Sequence, residues 1–135
     1  MSRAVASARS TRSYLAFDFG TRRVGVASGN ALTRTATPLA TIAERGEARN
    51  AAIAALVAEW RPDALVVGVP FHPDGAPHAN TARARAFARE LAERFGLPVH
   101  EVDERYTTTD AKRAGAVDLD AAAAAIILEQ HLADL

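Results

Sequence analysis

The sequence predicts an α/β fold with a mixed five-stranded sheet, a three-stranded antiparallel meander joined to parallel strands, and helices on both faces. Three observations carry this expectation. The apolar segments between residues 14 and 42 are short and separated by turn-length polar stretches, as in hairpin-connected strands. From residue 47 onward, segments of helical period alternate with short apolar runs, the pattern of β-α-β units. One of those runs, Ala64-Leu-Val-Val-Gly-Val69, is apolar throughout, as expected of a central strand covered on both faces.

The elements follow in order. Tyr14-Leu-Ala-Phe-Asp-Phe-Gly20 is rich in aromatic and aliphatic residues and reads as a buried strand. Val24 to Ser28 follows after three polar residues, close enough for a hairpin partner. A third strand falls within Ala36 to Ile42, where Pro38 points to a sheet edge. Ile53, Leu56, Val57 and Trp60 stand at i, i+3, i+4 and i+7 and mark one helical face between Glu47 and Trp60, with Pro62 as its stop. Ala84, Phe87, Ala88, Leu91 and Phe95 mark a second helix, closed by Gly96 and Pro98. Val99 to Val102 is a further strand, and an alanine-rich helix runs from about Ala121 with Ile127, Leu128, Leu132 and Leu135 as its core stripe.

A chain of 135 residues suits one domain, expected over residues 14–135. Residues 1–13 carry Arg3, Arg9 and Arg12 with several serines and no acid, and are expected to be a disordered tail rather than a targeting segment. The absence of cysteine excludes disulfides, a thiolate zinc site and a cysteine nucleophile, and is compatible with a reducing, cytoplasmic compartment. No apolar run approaches the ~20 residues needed to span a bilayer. Sixteen basic and sixteen acidic residues cancel, whereas many nucleic-acid binders are basic overall. An acidic metal pocket beside an arginine-rich rim would give the same total.

Three carboxylate positions stand out. Asp18 lies inside an apolar strand and, by alternation, faces away from Phe17 and Phe19, on the side of Ala16 and Gly20. A buried carboxylate is costly unless it is paired, hydrogen-bonded or bound to metal, although capping the turn after the strand is the plain alternative. Asp103 and Glu104 end the Val99 strand, and strand ends in α/β sheets border ligand crevices. Asp120 precedes the last helix, where an N-cap is the ordinary explanation. Gathered in one pocket, three carboxylates would repel each other, and a hard divalent cation, Mg²⁺ or Mn²⁺, resolves the repulsion and activates water for phosphodiester attack.

Around Asp18, Gly20 would let backbone approach a phosphate, Thr21 could hydrogen-bond it, and Arg22 and Arg23 add charge. Arg83, Arg85 and Arg89 recur along the polar side of the second helix, and Arg105, Lys112 and Arg113 follow the Asp103-Glu104 strand. A solvated helix face explains the helical group equally well. His72, His78, His100 and His131 show no ligand spacing and are expected at the surface, Thr107 to Thr109 suit a turn, and Phe71 to Gly75 is either a substrate lip or an ordinary connection.

Leu15-Ala-Phe-Asp-Phe-Gly-Thr-Arg-Arg-Val-Gly-Val-Ala27 is similar to the opening motif of the YqgF/RuvX family. Val67-Gly-Val-Pro70 with Asp74-Gly75, Asp103-Glu-Arg-Tyr-Thr-Thr108, and Asp120 followed by Ala123-Ala124 and Ile126-Ile-Leu128 resemble its later motifs, in order. The resemblance implies an RNase H-like fold related to RuvC-type junction resolvases, and a nuclease maturing the 5′ end of 16S rRNA from its precursor in a bacterial cytoplasm. By position it implies Asp18, Glu104 and Asp120 as catalytic, metal-binding carboxylates, with Asp103 and Asp118 as alternates. Two departures stand out: Gly29-Asn30 replaces the Ser-Asp often found after the second strand, and the stretch before Asp120 looks shortened. The second weakens the expectation of substrate grip more than that of chemistry.

Other readings remain open. A Holliday-junction resolvase acting on four-way DNA would use the same carboxylates, as a monomer or homodimer. An RNA-binding assembly factor would carry them as vestiges. Asp-x-Gly-Thr also opens the phosphate motif of actin-like ATPases, but those bind nucleotide between two such domains, and 135 residues supply one.

Overall fold

Period-two alternation along the first strand divides the molecule into two layers. The structure, a computed structural model, describes residues 12–104 and 119–135. They form β1 (Ser13–Phe19), β2 (Val24–Asn30), β3 (Ala36–Ile42), α1 (Gly46–Trp60), β4 (Ala64–Val69), α2 (Thr81–Phe95), β5 (Val99–Asp103) and α3 (Leu119–Ala133). The sheet order is β3-β2-β1-β4-β5. β1 and β3 run antiparallel to β2, and β1, β4 and β5 are parallel, so the meander and the parallel half meet at β1.

Leu15 and Phe17 of β1, with Val24 and Val26 of β2 and Leu65 and Val67 of β4, pack under α1 and α2 through Ile53, Phe87, Ala88 and Leu91. Phe17 and Phe87 meet edge to face, 5.9 Å between centroids, a favoured aromatic geometry. Tyr14, Ala16, Ala64, Val66 and Val102 point the other way and pack under Ile127, Leu128 and Leu132 of α3. β4 is buried at every residue, as its unbroken apolar run predicts. β3 is an edge strand, and Pro38 pairs with Ala27 where the register shifts, so its missing N–H falls at an irregularity of the ladder.

Some expectations are corrected. Trp60 is 43% exposed, and Ile53 is the one fully buried residue of α1, so the apolar period there overstates how much of that face meets the sheet. α1 ends at Arg61, which takes a left-handed conformation (φ 44°, ψ 58°) and donates its N–H to the Val57 carbonyl before Pro62 stops the helix. Leu135 lies beyond the end of α3 and is 51% exposed. α3 begins at Leu119, so Asp120 sits in its first turn rather than capping it from outside. His100 and His131 are half-buried, not surface residues: their rings stack 4.7 Å apart with Tyr14 edge-on to both, and burial together with His100 lowers the proton affinity of His131.

Candidate acidic metal-binding site

Asp18 lies near the end of β1, in register with Gly25 of β2 on one side and Gly68 of β4 on the other. Both glycines are required by close approach. A Cβ at Gly25 would overlap the backbone carbonyl of Asp120 and come within 2.9 Å of the Ala121 nitrogen. A Cβ at Gly68 would collide with the Ile127 side chain and stand 2.9 Å from Glu104 Oε2. Two bare positions flanking a carboxylate therefore let the first turn of α3 and the Glu104 side chain settle beside it.

Glu104 extends the β5 ladder, its N–H donating to the Val69 carbonyl at 3.1 Å. Strand alternation turns Val102 and Glu104 toward α3 and Asp103 outward; Glu104 is 7% exposed, whereas Asp103 is exposed. Asp120 enters from α3, and its Oδ2 accepts a hydrogen bond from Arg23 Nε at 2.7 Å.

The electrostatics are those of crowded carboxyls. Burial is the main cause that pushes the Asp18 carboxyl up to about 6 from 3.8; interaction with Glu104 opposes the rise and the Asp120 charge adds to it. Burial, then the charge of Asp18, a hydrogen bond directed at Asp18 and the charge of Asp103 push Glu104 up to about 9 from 4.5. The Asp18–Glu104 pair therefore holds protons more tightly than free carboxyls do. Its Oε2 atom is buried and finds no hydrogen-bond partner among the described residues. An orphaned buried carboxyl oxygen beside a second raised carboxyl is a donor set that a hard divalent cation fits. As the side chains stand, no three acidic or histidine groups among the described residues enclose an ion, and Asp120 is engaged by Arg23.

The turn after β1 carries Gly20, Thr21, Arg22 and Arg23. A Cβ at Gly20 would come within 2.6 Å of the Arg23 carbonyl oxygen, so the turn needs that glycine. Thr21, Arg22 and Arg23 are exposed, and Arg49 braces the turn by donating to the Thr21 carbonyl at 3.2 Å. Arg83 is not brought to this cluster; it is exposed on α2, in the other layer, and donates to Asn80 Oδ1 at 3.1 Å. Arg105, Lys112, Arg113 and Asp118, with Thr107 to Thr109, lie outside the described residues. Gly25 and Gly68 are not among the residues expected at the site, although a glycine inside an apolar strand (Val24-Gly-Val26, Val67-Gly-Val69) is a signal of close approach. Nor is the Arg23–Asp120 pair.

Residues 12–134 match the RuvX family, described as Holliday junction resolvase. A protein from Polaromonas sp. named "Putative pre-16S rRNA nuclease" is 64% identical over 92% of this chain and 90% of its own length. One of the same name from Albidiferax ferrireducens is 63% identical over 93% of this chain and 80% of its own. Among solved structures, T. thermophilus RuvC in complex with a Holliday junction substrate superposes with a TM-score of 0.59 at 18% identity, covering 91% of this chain and 94% of that one. At that identity the likeness speaks for the fold, which is RNase H-like. Its match over nearly all its length, together with relatives of this identity, makes the chain a member of the RuvX family.

Proposed function

We propose that this chain is a divalent-cation-dependent nuclease that matures the 5′ end of precursor 16S rRNA, folded as one domain over residues 14–135 and acting in the cytoplasm. One observation supports the proposal: the carboxyls of Asp18 and Glu104 hydrogen-bond each other, and the first turn of α3, which carries Asp120, lies against Gly25 beside them. The shared name of the curated relatives supplies the substrate. No helix among the described residues is long and apolar enough to cross a membrane.

In this reading Asp18, Glu104 and Asp120 hold the cation, Mg²⁺ or Mn²⁺. A cation bound there supplies Lewis-acid activation of water and shields the phosphate during in-line attack. The chain's own residues do the rest. Glu104 would present its orphaned Oε2 to a bound cation. Arg22 and Arg23 stand at the same turn, where guanidinium groups could pair with phosphate oxygens. Arg105, Lys112 and Arg113 are proposed as further contacts to the same backbone.

The test is Asp18→Asn in purified protein with Mn²⁺ and precursor 16S rRNA. Replacing groups that merely support metal ligands costs 10–100-fold, so loss of a ligand should lower cleavage by about 100-fold or more. Full cleavage by this variant would refute the proposal. Equal thermal stabilisation of wild type and variant by Mn²⁺ would instead indicate a non-catalytic RNA-binding factor. A second reading, cleavage of four-way DNA junctions, is favoured by the description of the matching family. Symmetric cutting of a junction without action on the precursor RNA would select it, together with a paired form of the protein.

A further inference from the structure

A cavity lined by basic side chains lies in the other layer. Pro77, His78, Thr81, Ala82, Arg85 and Arg89 line an open cavity of about 320 Å³ along the first half of α2. From Thr81 to Arg89 this helix carries three arginines and no carboxylate; its acids, Glu90 and Glu93, come later. Arg85 and Arg89 stand at i and i+4 and so share one side of the helix. No carboxylate among the described residues pairs with Arg89. Arg85 is held in place, its guanidinium 5.4 Å above the Phe71 ring and its Nε 3.4 Å from Glu101 Oε1.

The end of the cavity at the start of α2 is preformed. The Thr81 hydroxyl donates to the Pro70 carbonyl, the His78 amide donates to Thr81 Oγ1 at 2.7 Å, and the Asn80 amide donates to His78 Nδ1 at 3.0 Å. These bonds fix the His78 ring at the cavity, 5.1 Å from the ring of His72. An imidazole beside two guanidinium groups offers a flat face for a base and paired donors for its phosphate. The volume is at the small end for ligand pockets, which run from about 300 to 1,000 Å³, a size that suits a single nucleotide. The placement ties it to the acidic cluster: Val69 receives the Glu104 amide and Pro70, the next residue, anchors Thr81.

We infer that this cavity seats an unpaired nucleotide of the substrate strand, its phosphate between Arg85 and Arg89 and its base against His78. The inference rests on the nuclease reading only for the word substrate; the binding itself is separable. Unpaired polynucleotide is the ligand class, and RNA and DNA strands distinguish its sources.

The experiment measures anisotropy of a fluorescent single-stranded oligoribonucleotide in EDTA, so that no cleavage intervenes. Wild type is compared with Arg89→Ala, with the double variant Arg85→Ala/Arg89→Ala and with His78→Ala. Arg89 is exposed and its removal should leave the fold intact, which keeps the test valid if Arg85, which braces Phe71, proves structural. The double variant should bind about tenfold more weakly, and its slope of log affinity against log salt should fall by about 0.7, the value for the one single-strand phosphate lost. His78→Ala should weaken binding without changing that slope. A parallel loss on single-stranded DNA extends the site to both sugars; a loss on RNA alone assigns it to RNA. Unchanged affinity and slope in Arg89→Ala and the double variant, or equal binding of a blunt RNA duplex by wild type, would overturn the inference. Asp18→Asn that still cleaves precursor RNA sinks the nuclease reading and leaves this site untouched, so the two failures are distinguishable.

Discussion

The two faces of the sheet are built from different residues, and the contrast separates stability from chemistry. Under α1 and α2 the sheet presents Leu15, Phe17, Val24, Val26, Leu65 and Val67, large side chains that fill space. Under α3 it presents Ala16, Gly25, Ala27 and Gly68, and α3 answers with Ala121, Ala123, Ala124 and Ala125. Small residues on both sides bring a helix backbone onto a sheet, and here that approach carries Asp120 to Asp18. Both faces supply apolar burial, through Tyr14, Val66, Ile127, Leu128 and Leu132 on the α3 side, but the stretch of small residues near Asp18 is what supplies position.

The strongest way to break this contrast is to truncate each face in turn. Phe87→Ala should cost about 3 kcal/mol of stability, seen as a lower denaturation midpoint in urea, because a packed ring is lost without replacement. Its Mn²⁺ affinity, measured by calorimetry on the folded protein, should stay within about twofold of wild type, since Phe87 packs on the face of the sheet opposite Asp18. Gly25→Ala should cost about 2 kcal/mol, as overpacking against backbone does, and should also abolish Mn²⁺ binding by pushing Asp120 outward. If both variants lost stability and metal binding in the same proportion, the division of labour between faces would be wrong.

A gentler test uses pH. Asp18 and Glu104 bind protons more tightly in the folded state, about 6 against 3.8 and about 9 against 4.5. Groups raised in this way stabilise the fold below their unfolded values, and that stability is lost as pH rises through the folded ones. In EDTA the melting temperature should therefore fall between about pH 4 and 9, and Asp18→Asn should flatten the lower part of that fall. Mn²⁺ should remove most of the dependence. A metal-free profile that rises over this range would contradict the raised carboxyls. The smallest effect belongs to Arg23→Ala. The pair is partly exposed, 61% for Arg23 and 29% for Asp120, so stability should change by less than about 1 kcal/mol. Mn²⁺ should bind a few-fold more tightly, because a competing cation has gone.

Much of this architecture is legible in the sequence because alternation and helical period are local. Asp18 stands out as a carboxylate where its strand should be apolar, and β4 reads as central because nothing polar interrupts it. The choice between Asp103 and Glu104 depends on the phase of the pleat at the strand end, which two adjacent acids do not disclose. Asp120 reads as a cap because the start of α3 is hidden by two residues. The Arg23–Asp120 pair and the His100–His131 stack join positions far apart in the chain, so no local pattern encodes them. Trp60 keeps helical period with Ile53 but extends past the sheet, and period cannot tell where a partner surface stops.

Arg61 offers a practical consequence. A non-glycine residue in left-handed geometry carries a cost of about 1 kcal/mol that glycine at the same place would not. The turn it closes leads into β4 at the end opposite Glu104, so Arg61→Gly adds a reserve of stability without touching the acidic cluster. Built into a host for the weaker variants, it would keep Gly25→Ala folded long enough for its chemistry to be assayed.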